Sequence, residues 1–207
     1  MRREPQRGRY DRETIDAILD EALVCHLGFV HEAQPYVIPT LFARVGDDVF
    51  VHGSSASRML RTLSGGVDAC LTVTLVDGLV LARSVFNHSV NYRSVVVLGR
   101  AEQVGDQDAA LHAFMEKLVP GRWDETRPPT ELELKATSIL RMPLDEASAK
   151  VREGPPADDE EDYDWPVWAG VIPLESGWGD PVDDPRLLPG FTAPRLVPGG
   201  GGPSAQG

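Results

Sequence analysis

Apolar and polar positions alternate with a period of two along much of this chain, interrupted by short blocks of helical spacing. Between Asp11 and Leu23, Ile15, Ala17, Ile18, Ala22 and Leu23 recur at three- and four-residue intervals, which predicts a helix capped by Asp11. Val24 to Val30, Tyr36 to Arg44 and Val49 to His52 then read as strands, with polar turns at His31–Gln34 and Gly46–Asp48. Pro39 removes a ladder donor inside the second of these and marks an edge, a bulge or a ligand-facing gap. Ser54 to Leu63 returns to helical spacing, with Met59, Leu60 and Leu63 on one side and Gly65-Gly66 as the stop. Ala69 to Leu75 and Leu79 to Phe86 predict two strands joined across Val76-Asp77-Gly78, because Asp-Gly is a strong turn signal. Tyr92 to Val104 predicts a long strand broken at Gly99, and Asp106 to Val119 a helix. A short helix at Thr130 to Lys135, a strand at Thr137 to Pro143 and a last strand within Pro166 to Pro173 complete the series.

Connections this short favour antiparallel hairpins over parallel crossovers, which need a dozen or more residues. Six or more such strands with small helices predict a mainly β, closed or nearly closed barrel, since closure removes exposed edges. A chain of 207 residues accommodates one well-buried domain plus a tail. We expect a flexible basic arm at 1–10 and a barrel domain at 11–175. A Gly/Pro-rich tail at 176–207 holds 8 Gly and 6 Pro, a composition expected to be disordered.

Charge narrows the function. The formal net charge is -12, of which residues 151–190 carry 11 acids against 2 bases. No basic stripe appears, so nucleic-acid binding finds no support. The acidic run Asp158 to Asp164 reads as a solvated loop. The apolar runs are too short to span a bilayer and the first residues lack a secretory signal, so a cytoplasmic protein is expected. Cys25 and Cys70 form no C-x-x-C pair and no zinc-type cluster, and are expected to be buried reduced thiols. His26, alternating with apolar positions, is expected to be a sheet residue with a hydrogen-bond partner.

The most informative segment is Val49-Phe-Val-His-Gly-Ser-Ser-Ala-Ser-Arg-Met-Leu-Arg61, where a strand enters a Gly/Ser-rich turn and then a helix. Read by itself, this is either an ordinary helix capped by Ser54 or Ser55, or a phosphate cradle built from Ser54, Ser55, Ser57 and Arg58. It is neither a Walker loop nor a dinucleotide-binding glycine fingerprint.

The order of elements around Tyr36-Val-Ile-Pro-Thr40, this turn and Asn91-Tyr-Arg-Ser-Val-Val-Val-Leu-Gly-Arg-Ala101 resembles the FMN-binding split barrel. It is more similar still to the pyridoxamine 5'-phosphate oxidase-related, flavin-nucleotide-binding branch that includes nitroimidazole-resistance relatives. The stretch Leu144 to Pro156, with Val167-Trp-Ala-Gly-Val171 after it, adds to the resemblance. The resemblance implies an antiparallel split-barrel homodimer with a flavin at the subunit interface, and an FMN-dependent oxidoreductase acting on a small molecule. It assigns Val37, Ile38, Pro39 and Thr40 to the isoalloxazine ring and Ser57-Arg58 to the phosphate. His52 falls beside the ribityl chain as candidate catalytic residue, and Lys150, Arg152 and Trp168 are candidates to reach the partner's flavin. Met59 stands where true pyridoxamine-phosphate oxidases carry lysine, and their C-terminal arginine/histidine motif has no counterpart here, which argues against vitamin B6 oxidation. The alternative expectation is a non-catalytic protein that binds or senses flavin or haem, with His52 or His88 as axial ligand; FAD is an alternative to FMN.

Overall fold

The computed structural model describes residues 7–194; the first six residues of the expected arm and residues 195–207 of the expected tail lie outside it. In chain order the elements are β1 (Gly8–Arg9), α1 (Arg12–Glu21), β2 (Val24–His31), β3 (Gln34–Val45), β4 (Asp48–Ser54) and α2 (Arg58–Ser64). Then follow β5 (Asp68–Leu81), β6 (Ser89–Arg100), β7 (Glu102–Gln103), α3 (Gln107–Leu118), α4 (Arg122–Glu125), α5 (Glu131–Ala136), β8 (Thr137–Pro143), β9 (Glu146–Arg152) and β10 (Gly170–Pro173). No helix among the described residues is long and apolar enough to cross a membrane.

All strand pairs are antiparallel, in the order β1-β9-β6-β5-β2-β3-β4-β8-β7, with β10 on β5. β3 serves two sheets: residues 34–41 pair with β2, and Phe42 to Val45 pair with β4. The ring closes through one run of chain, because β6 pairs with β5 while its continuation β7, one residue further on, pairs with β8. Gly99 sits just before that switch at φ +154, a conformation open to glycine and strained for other residues.

Alternation explains the core. Cys25, Leu27 and Phe29 of β2, Leu71 and Val73 of β5, Val95 and Val97 of β6 and Leu140 and Met142 of β8 point inward. α1 adds Ile15, Ile18 and Leu19, and α2 adds Met59, Leu60 and Leu63. Asp11 caps α1 by accepting from the Thr14 N–H at 2.9 Å. Lys117 of α3 donates to the Leu19 carbonyl at 3.2 Å, at the C-terminal end of α1 where carbonyls lack helical partners. Thr130 and Glu133 form a reciprocal capping box on α5.

Several expectations are corrected. Val76-Asp77-Gly78 is no hairpin turn; β5 runs through it with a bulge between Val76 and Gly78. The glycine serves a close approach: a Cβ there would lie 2.8 Å from the Ile172 carbonyl of β10. Asp77 instead pairs with Arg93, at 2.8 Å. The helix expected from Ser54 starts at Arg58, with Ser57 rather than Ser54 or Ser55 at the cap and no side-chain cap bond. The strand expected within Pro166 to Pro173 shrinks to Gly170–Pro173, and β9 was not anticipated. His26 is exposed on the outer sheet face opposite Pro39 and Thr72, with no hydrogen bond to the described residues, so it is not a partnered sheet residue. Both cysteines are free; Cys25 is buried, which pushes its thiol up to about 12 and leaves it unreactive, whereas Cys70 is only half-buried.

The acidic segment is not wholly solvated. The Asp158 side chain is buried and accepts the backbone N–H groups of Arg83 and Ser84 at 3.1 and 3.3 Å. Arg83 pairs with it at 3.2 Å and lies over the Tyr163 ring. This tie holds the 158–163 segment against the turn that follows β5.

Candidate functional site

The Ser-Arg turn is organised around the strand end. The Ser55 N–H donates to the Ala136 carbonyl at 2.8 Å, and Ser57 N–H to the Ser54 carbonyl at 2.8 Å. The Ser54 Oγ accepts from the Ala56 N–H at 3.2 Å, while Ser57 makes no cap bond. These bonds turn the chain out of β4 and leave the Arg58 side chain exposed at the rim.

There Arg58 meets Tyr36. Its Nη1 donates to the Tyr36 Oη at 3.0 Å, and its guanidinium carbon lies 5.5 Å from the ring centroid. Tyr36 stacks on Phe29 with centroids 5.5 Å apart, so a core residue fixes the platform under the arginine. Arg61, one helical turn on, joins Arg58, His31, Thr62 and Val67 around a cleft of about 520 Å³. The Thr62 hydroxyl and His31 Nδ1 are 3.0 Å apart. Two guanidiniums, an imidazole and a hydroxyl line one open cleft, a set of donors of the kind that phosphate oxygens accept from.

Sequence reasoning named Arg58 and missed Tyr36, His31, Arg61 and Thr62 as its companions. The spacing of Arg58 and Arg61 was readable, since residues three apart share a helix face. Tyr36 and His31 enter only through the register of β2 with β3, where Phe29 faces Tyr36 and His31 faces Gln34.

The other expected residues divide between faces. Tyr36 and Ile38 pack toward the core, whereas Val37 and Pro39 are exposed on the outer face; the Thr40 hydroxyl turns to the Leu41 carbonyl at 3.4 Å. His52 pairs with Ile139 and lies under α3, edge-on to Phe114 with centroids 4.5 Å apart. Its Nδ1 is buried without a partner, and burial lowers its pKa, which favours the neutral ring. No hydrogen bond joins His52 to Ser54, Ser55, Ser57 or Arg58.

Lys150 stands in strand β9, with Nζ 5.9 Å from the Tyr92 centroid. Arg152 is buried and donates to the Asn91 Oδ1. Trp168 is 62% exposed, and its ring covers Gly170, where a Cβ would lie 2.8 Å from it. Within one chain none of these three contacts the Ser-Arg turn through a hydrogen bond or ion pair. His88 is exposed, and its Nδ1 lies 3.0 Å from the Ser84 carbonyl. It follows Val85 and Phe86, which are 91% and 96% exposed.

A barrel closed by a shared strand, with a cationic rim beside β4 and helices outside, is a split barrel. The pyridoxamine 5'-phosphate oxidase family model matches residues 11–151, and the chain belongs to that family. Among solved structures, the flavocytochrome Anf3 from Azotobacter vinelandii is 47% identical, with a TM-score of 0.89 over 94% of this chain and 92% of that one. The FAD and heme binding protein from Mycobacterium smegmatis is 37% identical, with a TM-score of 0.88 over 91% and 94%. A protein from Bacteroides thetaiotaomicron named for 5-nitroimidazole antibiotic resistance shares the fold at 21% identity, with a TM-score of 0.56 over 70% and 86%. A search of curated proteins returned no match.

Proposed function

We propose that this protein is a dimeric flavin-nucleotide redox protein acting on a small molecule, with the flavin phosphates held at Arg58. The observation that carries the reading is the Tyr36-supported Arg58 beside Arg61 and His31, in a chain 47% identical to a flavocytochrome. FMN needs one phosphate anchor. The second guanidinium and the imidazole of this cleft suit a diphosphate better, which favours FAD over FMN. Homodimer formation is supported by Val24, Val37, Leu41 and Leu98 on the outer sheet face, all exposed in the single chain.

One observation favours a haem as well. With Nδ1–H directed at the Ser84 carbonyl, His88 presents a bare Nε2 lone pair beside exposed Val85 and Phe86. A ring nitrogen fixed by a backbone carbonyl is the usual support of a metal-ligating histidine. His52 is the weaker candidate axial ligand, since its ring is packed under Phe114. Flavin and haem together supply coupled two-electron and one-electron chemistry, and the protein sets their position and electrostatics.

The test is an absorbance spectrum of the purified protein, with chromatography of the flavin released on denaturation. Flavin bands that vanish in Arg58→Ala support the reading, and released FAD rather than FMN supports the diphosphate assignment. A Soret band lost in His88→Ala supports the haem. A colourless protein that takes up no added flavin overturns the proposal.

A further inference from the structure

Beyond β10 the chain leaves the barrel. The Leu174 N–H still donates to the Asp77 carbonyl at 3.0 Å, but among the described residues no hydrogen bond or ion pair joins residues 177–194 to the body. A Cβ added at Gly177, Gly179 or Gly190 would meet no atom within 4 Å, so the backbone there stands clear. Yet this segment carries Trp178, Val182, Leu187, Leu188 and Phe191, exposed by 43% at Leu187 and up to 95% at Val182. Five large apolar side chains in so short a stretch are the mark of a binding segment and not of a solvated linker.

A surface without a cover lies on the same molecule. The register of β3, β2, β5, β6 and β9 sets one row across the outer sheet face, from Pro39 through His26, Thr72 and Val96 to Ser148. Val37 and Leu41 flank that row and are exposed, as are the arm residues, so the arm does not cover the face of its own barrel. Five neighbouring strands are about 20 Å across. The stretch from Trp178 to Phe191 spans about 40 Å at the rise of extended, proline-containing chain, enough to cross that face on another copy. Lys150 borders the row on β9 and has no carboxylate within ion-pair distance among the described residues; Glu146 stands four positions away on the same strand. The arm brings Asp180, Asp183 and Asp184 against the single Arg186.

We propose that residues 177–191 form an arm that crosses to a second copy of this chain and lies on the outer face of its sheet, each subunit of a two-fold dimer giving one arm and receiving one. The inference rests on the dimer of the function proposed above and adds the segment that clasps it. Pro181, Pro185 and Pro189 lack the N–H groups that a ladder needs, so the arm docks through its side chains and not as an added strand. Its three aspartates are repelled by an anionic lipid surface and complement Lys150 of the second copy.

The test is sedimentation equilibrium of the full-length protein, as purified, beside the arm variant Trp178→Ser/Leu188→Ser/Phe191→Ser and the face variant Val37→Ser/Leu41→Ser. All five side chains are exposed in the single chain, so neither variant empties the core. A dimer dissociation constant raised at least tenfold in each variant is the expected result. Photo-crosslinking of Phe191→p-benzoylphenylalanine in a mixture of isotope-light and isotope-heavy chains should join the arm of one chain to the face strands of the other. An unchanged dissociation constant in the arm variant, or crosslinks confined to one chain, overturns the arm and leaves the dimer standing. A wild-type protein that stays monomeric overturns both, and flavin content read on the same samples reports on the Arg58 site separately.

Discussion

Asp158 receives the Arg83 backbone N–H on both carboxylate oxygens, each at 3.1 Å, and the Arg83 guanidinium at 3.2 Å. One buried side chain thereby clamps a sequence-distant acidic segment to the turn that presents Val85, Phe86 and His88.

Burial opposes ionisation of Asp158, but the backbone N–H groups of Arg83 and Ser84 and the Arg83 guanidinium prevail and hold its pKa below the ordinary value. A depressed folded-state pKa contributes stability above the unfolded value of about 3.9 and loses it as pH falls through the folded value. Asp158→Asn is therefore expected to lower the Tm at neutral pH and to flatten its fall in acid. Thermal melts across that range check this, and an unchanged acid limb would overturn it.

Arg58→Ala is expected to weaken flavin binding by roughly ten- to a hundredfold, the worth of one charge-assisted hydrogen bond. Tyr36→Phe keeps the ring platform and loses only the hydroxyl, so its effect should be smaller. Fluorescence titration of apoprotein with FAD ranks the two, and equal affinities in all three proteins would contradict the assignment.

His52 has its pKa lowered by burial, so the unfolded chain binds a proton more readily than the folded one. Stability is then fullest above the unfolded value of about 6.5 and declines as pH falls below it. His52→Phe removes both the titration and the unpartnered Nδ1, and should reduce the loss of Tm in mild acid. A catalytic His52 would instead show as lost turnover with flavin content intact.

Gly78→Ala places a methyl 2.8 Å from the Ile172 carbonyl, where the neighbour is backbone and cannot swing aside. A destabilisation of about 1–3 kcal/mol is expected, as for other overpacked sites. Hydrogen exchange should locate the disturbance at β10. Uniform protection there would show that the bulge tolerates the side chain.

The parts of the fold legible in the sequence were those fixed by local alternation. β2 and β3 with their short connection, the Asp11 cap and the limits of β8 all follow from neighbours in the chain. The Asp77-Gly78 dipeptide misled because its signal is local while the reason for the glycine is not: β10 arrives from more than ninety positions away. β9 escaped because Glu146 to Arg152 mixes charges with alanines, and its burial comes from β6. The same divide runs through the site. Arg58 was legible from its serine-rich turn, but Tyr36 joins it only through the register of β2 with β3.

The closure at Ala101 makes one stretch of backbone both the first and the last stave of the barrel. A nick or a new terminus placed between Gly99 and Glu102 would release the hoop while leaving each of the other strand pairs intact. The ladder from β9 to β8 would survive as an open, curled sheet with two raw edges. That single peptide segment is thus the seam of the molecule, where continuous chain rather than a strand ladder joins one sheet to the other.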